Sequence, residues 1–146
     1  GTLRPGTESI DSICGMAEAL AIVKSSRKND IDNFKKLHRL MIQELDSKSL
    51  NYIYNGSNKD KIYNIINISL PGNNGEDLVA RLDAIGFEVA TGAACEASND
   101  EPSKALLAIG RSKKQAQGSL RISMGRSTTE EDIKRFVEAL SGIIRA

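Results

Sequence analysis

At 146 residues, 40% of them hydrophobic, the chain can build one domain with a real core but not two ordinary ones. Twenty Lys and Arg are interspersed with nineteen Asp and Glu for a net charge of +1, which argues against a phosphate-backbone surface, so no nucleic-acid partner is expected. No apolar run approaches the roughly eighteen residues of a membrane span, and Cys14 and Cys95 sit in unlike settings that do not suggest a disulfide framework. A protein of a reducing compartment, the cytoplasm, is the expectation, with no membrane partner and no metal.

The chain opens without Met on Gly1-Thr2-Leu3-Arg4-Pro5-Gly6-Thr7, a Gly/Pro/Thr loop, and reads as the back part of something longer. Thr7 or Ser9 is placed to cap the helix that follows. Ile10, Ile13, Ala17, Leu20 and Ala21 recur at helical spacing to about Ser25. Cys14 shares that stripe and is expected to be an inert core thiol. After the polar stretch Ser26-Arg27-Lys28-Asn29-Asp30, Ile31, Phe34, Leu37, Met41, Ile42 and Leu45 predict a second amphipathic helix, antiparallel to the first. His38, the only histidine, lies among Phe34, Leu37 and Met41 and is expected to pack rather than catalyse.

Asn51-Tyr52-Ile53-Tyr54 before Asn55-Gly56 reads as a short strand and turn. Within Ile62 to Leu70, Ile66, Ile68 and Leu70 alternate with Ile65, Asn67 and Ser69, a better strand. Leu78, Val79, Leu82 and Ile85 predict a helix ended by Gly86, and Phe87 to Ala90 a short strand. That strand runs into Gly92-Ala93-Ala94-Cys95-Glu96-Ala97-Ser98-Asn99-Asp100-Glu101-Pro102, a polar loop with small residues before the thiol, which favours an accessible Cys95. The acids after it would raise rather than lower a thiol pKa, so the local sequence argues for exposure and not for activation.

A short helix is expected over 102–109, ending at Gly110, and Ser112-Lys113-Lys114-Gln115 fits a capping box for one further turn. Ser119 to Met124 alternates strictly, with Leu120, Ile122 and Met124 on one face and Arg121 and Ser123 on the other. Thr128-Thr129-Glu130-Glu131 reads as a second capping box before a terminal amphipathic helix built on Ile133, Phe136, Val137, Leu140 and Ile144. The order suits an α+β fold: a small, mainly antiparallel sheet covered by helices on one face, with the other face covering a second domain.

Four of these segments together resemble the NifS-like cysteine desulfurases, a branch of the class V aminotransferases with the fold-type-I architecture of enzymes that use pyridoxal 5′-phosphate. Arg4-Pro5-Gly6-Thr7-Glu8 is similar to that family's R-x-G-T-E/L segment, and Asn64-Ile65-Ile66-Asn67-Ile68-Ser69 to its N-I-x-N-x-S strand. Gly92-Ala93-Ala94-Cys95 followed by Glu101-Pro102 resembles its G-S-A-C…E-P loop, with Ala93 in place of the usual serine. Gly118-Ser119-Leu120-Arg121-Ile122-Ser123-Met124-Gly125-Arg126 resembles its S-x-R-x-S-x-G-R strand. The likeness covers essentially all 146 residues but only the family's C-terminal portion. It implies that residues 1–146 form a single C-terminal small domain whose large, cofactor-binding domain is absent from this chain.

The resemblance also assigns roles. Cys95 is implied to be the nucleophile that takes sulfur from L-cysteine, leaving L-alanine and an enzyme persulfide, a task suited to a thiol on a movable loop. Arg121, on periodicity alone a solvated strand arginine, is implied to grip the substrate α-carboxylate with its planar guanidinium. Thr7 is implied to reach the cofactor phosphate of a partner subunit across a homodimer interface, and a Gly-Thr turn suits that contact. The lysine, histidine and aspartate that hold pyridoxal 5′-phosphate are implied to lie in the large domain, so this chain alone is expected to be inactive. A sulfur-acceptor protein is the implied partner, in iron–sulfur assembly or another sulfur pathway. Two other readings stay open: a related class V lyase, transaminase or selenocysteine lyase in which Cys95 is incidental, and a stand-alone interaction or persulfide-carrier domain.

Overall fold

The computed structural model describes residues 6–57, 59–91 and 102–145. The chain divides into two compact units, Gly1–Asn33 and Phe34–Ala146. The first contains the early turns of helix α1 (Ile10–Ser47). Here the structure departs from the expected helix pair, because α1 runs unbroken through Ser26–Asp30. That stretch is polar but holds no Gly or Pro, and its residues cost a helix only tenths of a kcal/mol each. The Ser26 hydroxyl also donates to the Asp30 carboxylate one turn on, at 2.7 Å. The apolar stripe of the early turns is left uncovered, with Ile10, Met16 and Leu20 more than 60% exposed. Cys14 on the same turns is exposed as well, against the expectation of a core thiol.

The second unit is the α+β body. Its sheet has the order β1 (Ile53–Tyr54), β2 (Ile65–Ser69), β3 (Ser119–Ser123), antiparallel throughout. Alternation along β2 and β3 sends Ile66, Ile68, Leu70, Leu120, Ile122 and Met124 to one face, all buried. The helices supply the matching apolar stripes: Leu37, Met41 and Leu45 from α1, Leu78 and Leu82 from α2 (Gly75–Asp83), and Ile133, Phe136, Val137 and Leu140 from α5 (Glu130–Arg145). Each such side chain removed from water contributes about 1.5–3 kcal/mol, which makes this layer the principal source of stability.

The helix ends follow their local chemistry. Asn74 caps α2 through its side-chain oxygen, accepting from the amides of Glu76 and Asp77. Gly86, at φ +87°, ends it with a bond from Phe87 N–H back to the Leu82 carbonyl. Two short helices, α3 (Lys104–Ala108) and α4 (Lys113–Gln117), follow the expected order, and the Ser112–Gln115 capping box is formed as read. The cap before α5 is shifted by one residue from the expected box. Thr129, not Thr128, exchanges bonds with Asp132, while the Thr128 hydroxyl accepts from Gly125 N–H. The expected strand over Phe87–Ala90 reduces to one bridge, at Ala90.

Candidate functional site

The start of β3 is fixed by backbone packed on backbone. Leu70 N–H donates to the Gly118 carbonyl at 2.8 Å. A Cβ at Gly118 would lie 2.7 Å from the carbonyl oxygens of Leu70 and Asn73, and one at Gly75 would lie 2.8 Å from those of Gln117 and Ser119. Only glycine permits this closeness, which seats the first residue of α2 against the α4–β3 junction. The strand that carries Arg121 is therefore held rigidly at its entry.

Arg121 occupies the middle of β3 on the face turned away from the core. Its Cα partner across the sheet is Asn67 on β2. On its other side it bridges Ala90, with Arg121 N–H donating to the Ala90 carbonyl at 2.6 Å and Ala90 N–H returning a bond at 3.2 Å. Backbone pairing on both sides leaves the side chain as the free part of the residue. It is exposed, and among the described residues no carboxylate or carbonyl engages the guanidinium. An arginine so placed offers a planar pair of N–H donors to an incoming carboxylate.

The same face carries a polar network that the sequence reading passed over. The Asn55 side chain is buried and donates to Asn67 Oδ1 at 2.7 Å and to Ser69 Oγ at 2.8 Å. Its own carbonyl oxygen accepts from Arg111 Nε at 2.6 Å, while Arg111 Nη2 donates to the Tyr54 carbonyl at 2.9 Å. The sequence pattern places Asn67 only on the outer face of its strand. In the structure it is the junction between this network and the Arg121 position. The available signal was an asparagine at the centre of an isoleucine strand, a costly placement unless its amide is bonded. Arg111, 56 residues from Asn55 in sequence, gave no such signal.

Thr7 lies in the first unit, exposed, after Gly6 at φ +152°. Among the described residues its hydroxyl has no hydrogen-bond partner, so it is available to a phosphate oxygen, and the adjoining glycine leaves the backbone open to approach. Cys95, and with it Gly92 to Glu101, falls outside the described residues, as do Arg4 and Pro5. His38 packs as expected: it is 4% exposed, edge-on to the rings of Tyr54 and Tyr63. No group of three or more acidic, His or Cys side chains poised for a metal occurs among the described residues. No described helix is long and apolar enough to cross a membrane.

Known proteins bear directly on this arrangement. The chain is 34% identical over 141 residues to cysteine desulfurase IscS of Dictyoglomus turgidum, and 30% identical over 142 residues to cysteine desulfurase IscS 1 of Archaeoglobus fulgidus. Each alignment takes in 97% of this chain but only 36% and 37% of those relatives, so the chain spans about a third of their length. The fold is that of a NifS-like protein from Rickettsia africae, with a TM-score of 0.84 at 24% identity over 98% of this chain and 37% of that one. The apo cysteine desulfurase of Thermococcus onnurineus matches at a TM-score of 0.70 and 17% identity, over 97% of this chain and 33% of that one. The family pattern described as aminotransferase class V matches residues 2–136. With the antiparallel sheet, the Arg121 strand and a match over nearly its whole length, the chain belongs to the class V aminotransferase family.

Proposed function

We propose that this chain is the C-terminal small domain of a cysteine desulfurase, a pyridoxal-phosphate enzyme that converts L-cysteine to L-alanine and holds the sulfur as a persulfide on Cys95. The observation that carries the reading is the Arg121 guanidinium, exposed and without a partner among the described residues on a polar sheet face, in a chain alike over 97% of its length to cysteine desulfurases. In this reading Arg121 binds the substrate α-carboxylate through two parallel charge-assisted hydrogen bonds and so fixes which end of the amino acid faces the chemistry. Cys95 supplies the thiolate: a sulfur–sulfur bond forms to the substrate sulfur as the carbon–sulfur bond breaks, and the persulfide passes to an acceptor protein. The bound pyridoxal group, carried outside these 146 residues, supplies an electron sink that eases bond cleavage at the substrate.

Thr7 fits the phosphate of that cofactor, because its hydroxyl is exposed and uncommitted among the described residues. We assign it to the cofactor of the second subunit in a cytoplasmic homodimer. The deciding experiment replaces Cys95 with alanine in the complete enzyme. Sulfide and alanine formation from cysteine should cease while the visible absorption of the cofactor stays. Undiminished sulfide and alanine from C95A would defeat the assignment.

A further inference from the structure

A separate cavity of about 440 Å³ opens in the second unit between the last turns of α1 and the segment that joins β1 to β2. Its lining includes His38, Arg39, Gln43, Tyr52, Tyr54 and Lys61. Among the described residues no carboxylate lines it, although two cations do. Lys61 is half-buried, with its ammonium 5.0 Å from the centre of the Tyr54 ring and 5.8 Å from that of Tyr63. The same ammonium lies 3.1 Å from His38 Nε2. An ammonium can only donate, so Nε2 accepts, and the His38 proton sits on Nδ1, 3.3 Å from the Tyr63 carbonyl.

The arrangement orients Lys61 without neutralising it. Rings and a neutral imidazole hold the charge in place, and no acid lies within ion-pair distance of it among the described residues. Arg39 contributes a second charge at the same mouth. Its Nε donates to the Lys35 carbonyl at 3.3 Å, which leaves the terminal amino groups free of described partners. The nearby Asp46 carboxylate is occupied by the Tyr52 hydroxyl at 2.8 Å. Two cations converging on one concave space, one of them partly desolvated, create a positive potential that an anion would relieve.

We infer that this cavity is a binding site for a small oxyanion, phosphoryl or carboxylate, held between Lys61 and Arg39 beside His38. This site is independent of the proposed desulfurase chemistry. His38 is its reporter. Burial and the Lys61 charge hold the imidazole below its ordinary pKa of 6.5, and the Tyr63 carbonyl opposes them more weakly. Lys35 also faces this cluster, 5.6 Å from the Tyr63 ring centre, and Lys36 and Glu130, paired with each other, border the outer side of Arg39. An oxyanion on Lys61 would offset its repulsion and move the His38 midpoint upward.

Because His38 is the only histidine of these 146 residues, imidazole NMR of the 146-residue chain reads the site without assignment ambiguity. Pyrophosphate and citrate, each titrated at millimolar concentration against sodium chloride of equal ionic strength, distinguish the phosphoryl from the carboxylate source. A saturable His38 shift and a raised His38 midpoint are expected with at least one of them. Apparent affinity should weaken about tenfold or more in Lys61→Gln and in Arg39→Gln, the loss expected when one charge-assisted bond is removed. Should Lys61→Gln fail to fold, the exposed Arg39→Gln decides alone. A response to neither probe, or equal affinity in the variants and the parent chain, overturns the site.

Discussion

Strands β2 and β3 carry two contrasting rows of side chains on one backbone. The inner row, Ile66, Ile68, Leu120 and Ile122, is at most 5% exposed and meets three helices. The outer row, Asn67, Ser69, Ser119 and Arg121, is polar, and its central side chains point to hydrogen-bond partners or to solvent. Neighbouring residues along β3 thus serve different ends. Leu120 secures the fold, and Arg121 one step on is available for chemistry. The alternation of a pleated strand lets a rigid, well-packed element present a charged group without burying it.

Substitutions one residue apart can break or sharpen that contrast. The largest effect is expected at Leu120→Ala, which opens a void in the inner layer and should cost about 3–5 kcal/mol by chemical denaturation. A cost below about 1 kcal/mol would mean that the inner row does not carry stability. Arg121→Gln in the complete enzyme should behave in the opposite way. The melting temperature stays put, and kcat/KM for cysteine falls about a hundredfold, the worth of two charge-assisted bonds. Parent-level kcat/KM in that variant would remove Arg121 from the substrate.

Asn55→Ala tests the network on the outer face. It strands Arg111 Nε and Asn67 Oδ1 together and should destabilise the chain by about 1–3 kcal/mol. Arg111→Ala gives an independent check, since it should relax the same bonds from the other end. The smallest effect is expected at Ser119→Ala. The Ser119 hydroxyl is buried with no hydrogen-bond partner among the described residues, so its removal should leave stability within about 0.5 kcal/mol or raise it slightly. A loss above about 1 kcal/mol in that variant would reveal a partner for the hydroxyl and enlarge the polar network.

Regular alternation made the inner row legible. Ile66, Ile68, Leu120 and Ile122 are all where a two-residue period puts them, and the α5 stripe follows its 3.6-residue period equally well. Local capping chemistry was legible to within one residue, as Thr129 in place of Thr128 shows. Two features escaped, one for a local reason and one because it depends on distant residues. The polar stretch Ser26–Asp30 looked like a break, but polar residues without Gly or Pro continue a helix as readily as they end one. The Arg111–Asn55–Asn67 chain joins three segments whose sequences say nothing of one another. Position was readable for Arg121, on the outer face of its strand, while the proposal that it grips a carboxylate rests on family likeness.

The sheet's outer margins bear on how the protein behaves in a crowd. A bare strand margin invites another chain to add on, and here both margins are already spoken for near their centres. On one side β1 is only two residues long, and Arg111 takes the Tyr54 carbonyl. On the other, the outward amide and carbonyl of Arg121 are occupied by Ala90. A foreign strand would have to displace a charged side chain or a pair of backbone bonds before gaining any of its own, so the three-stranded sheet of the described residues is guarded against edge-to-edge addition.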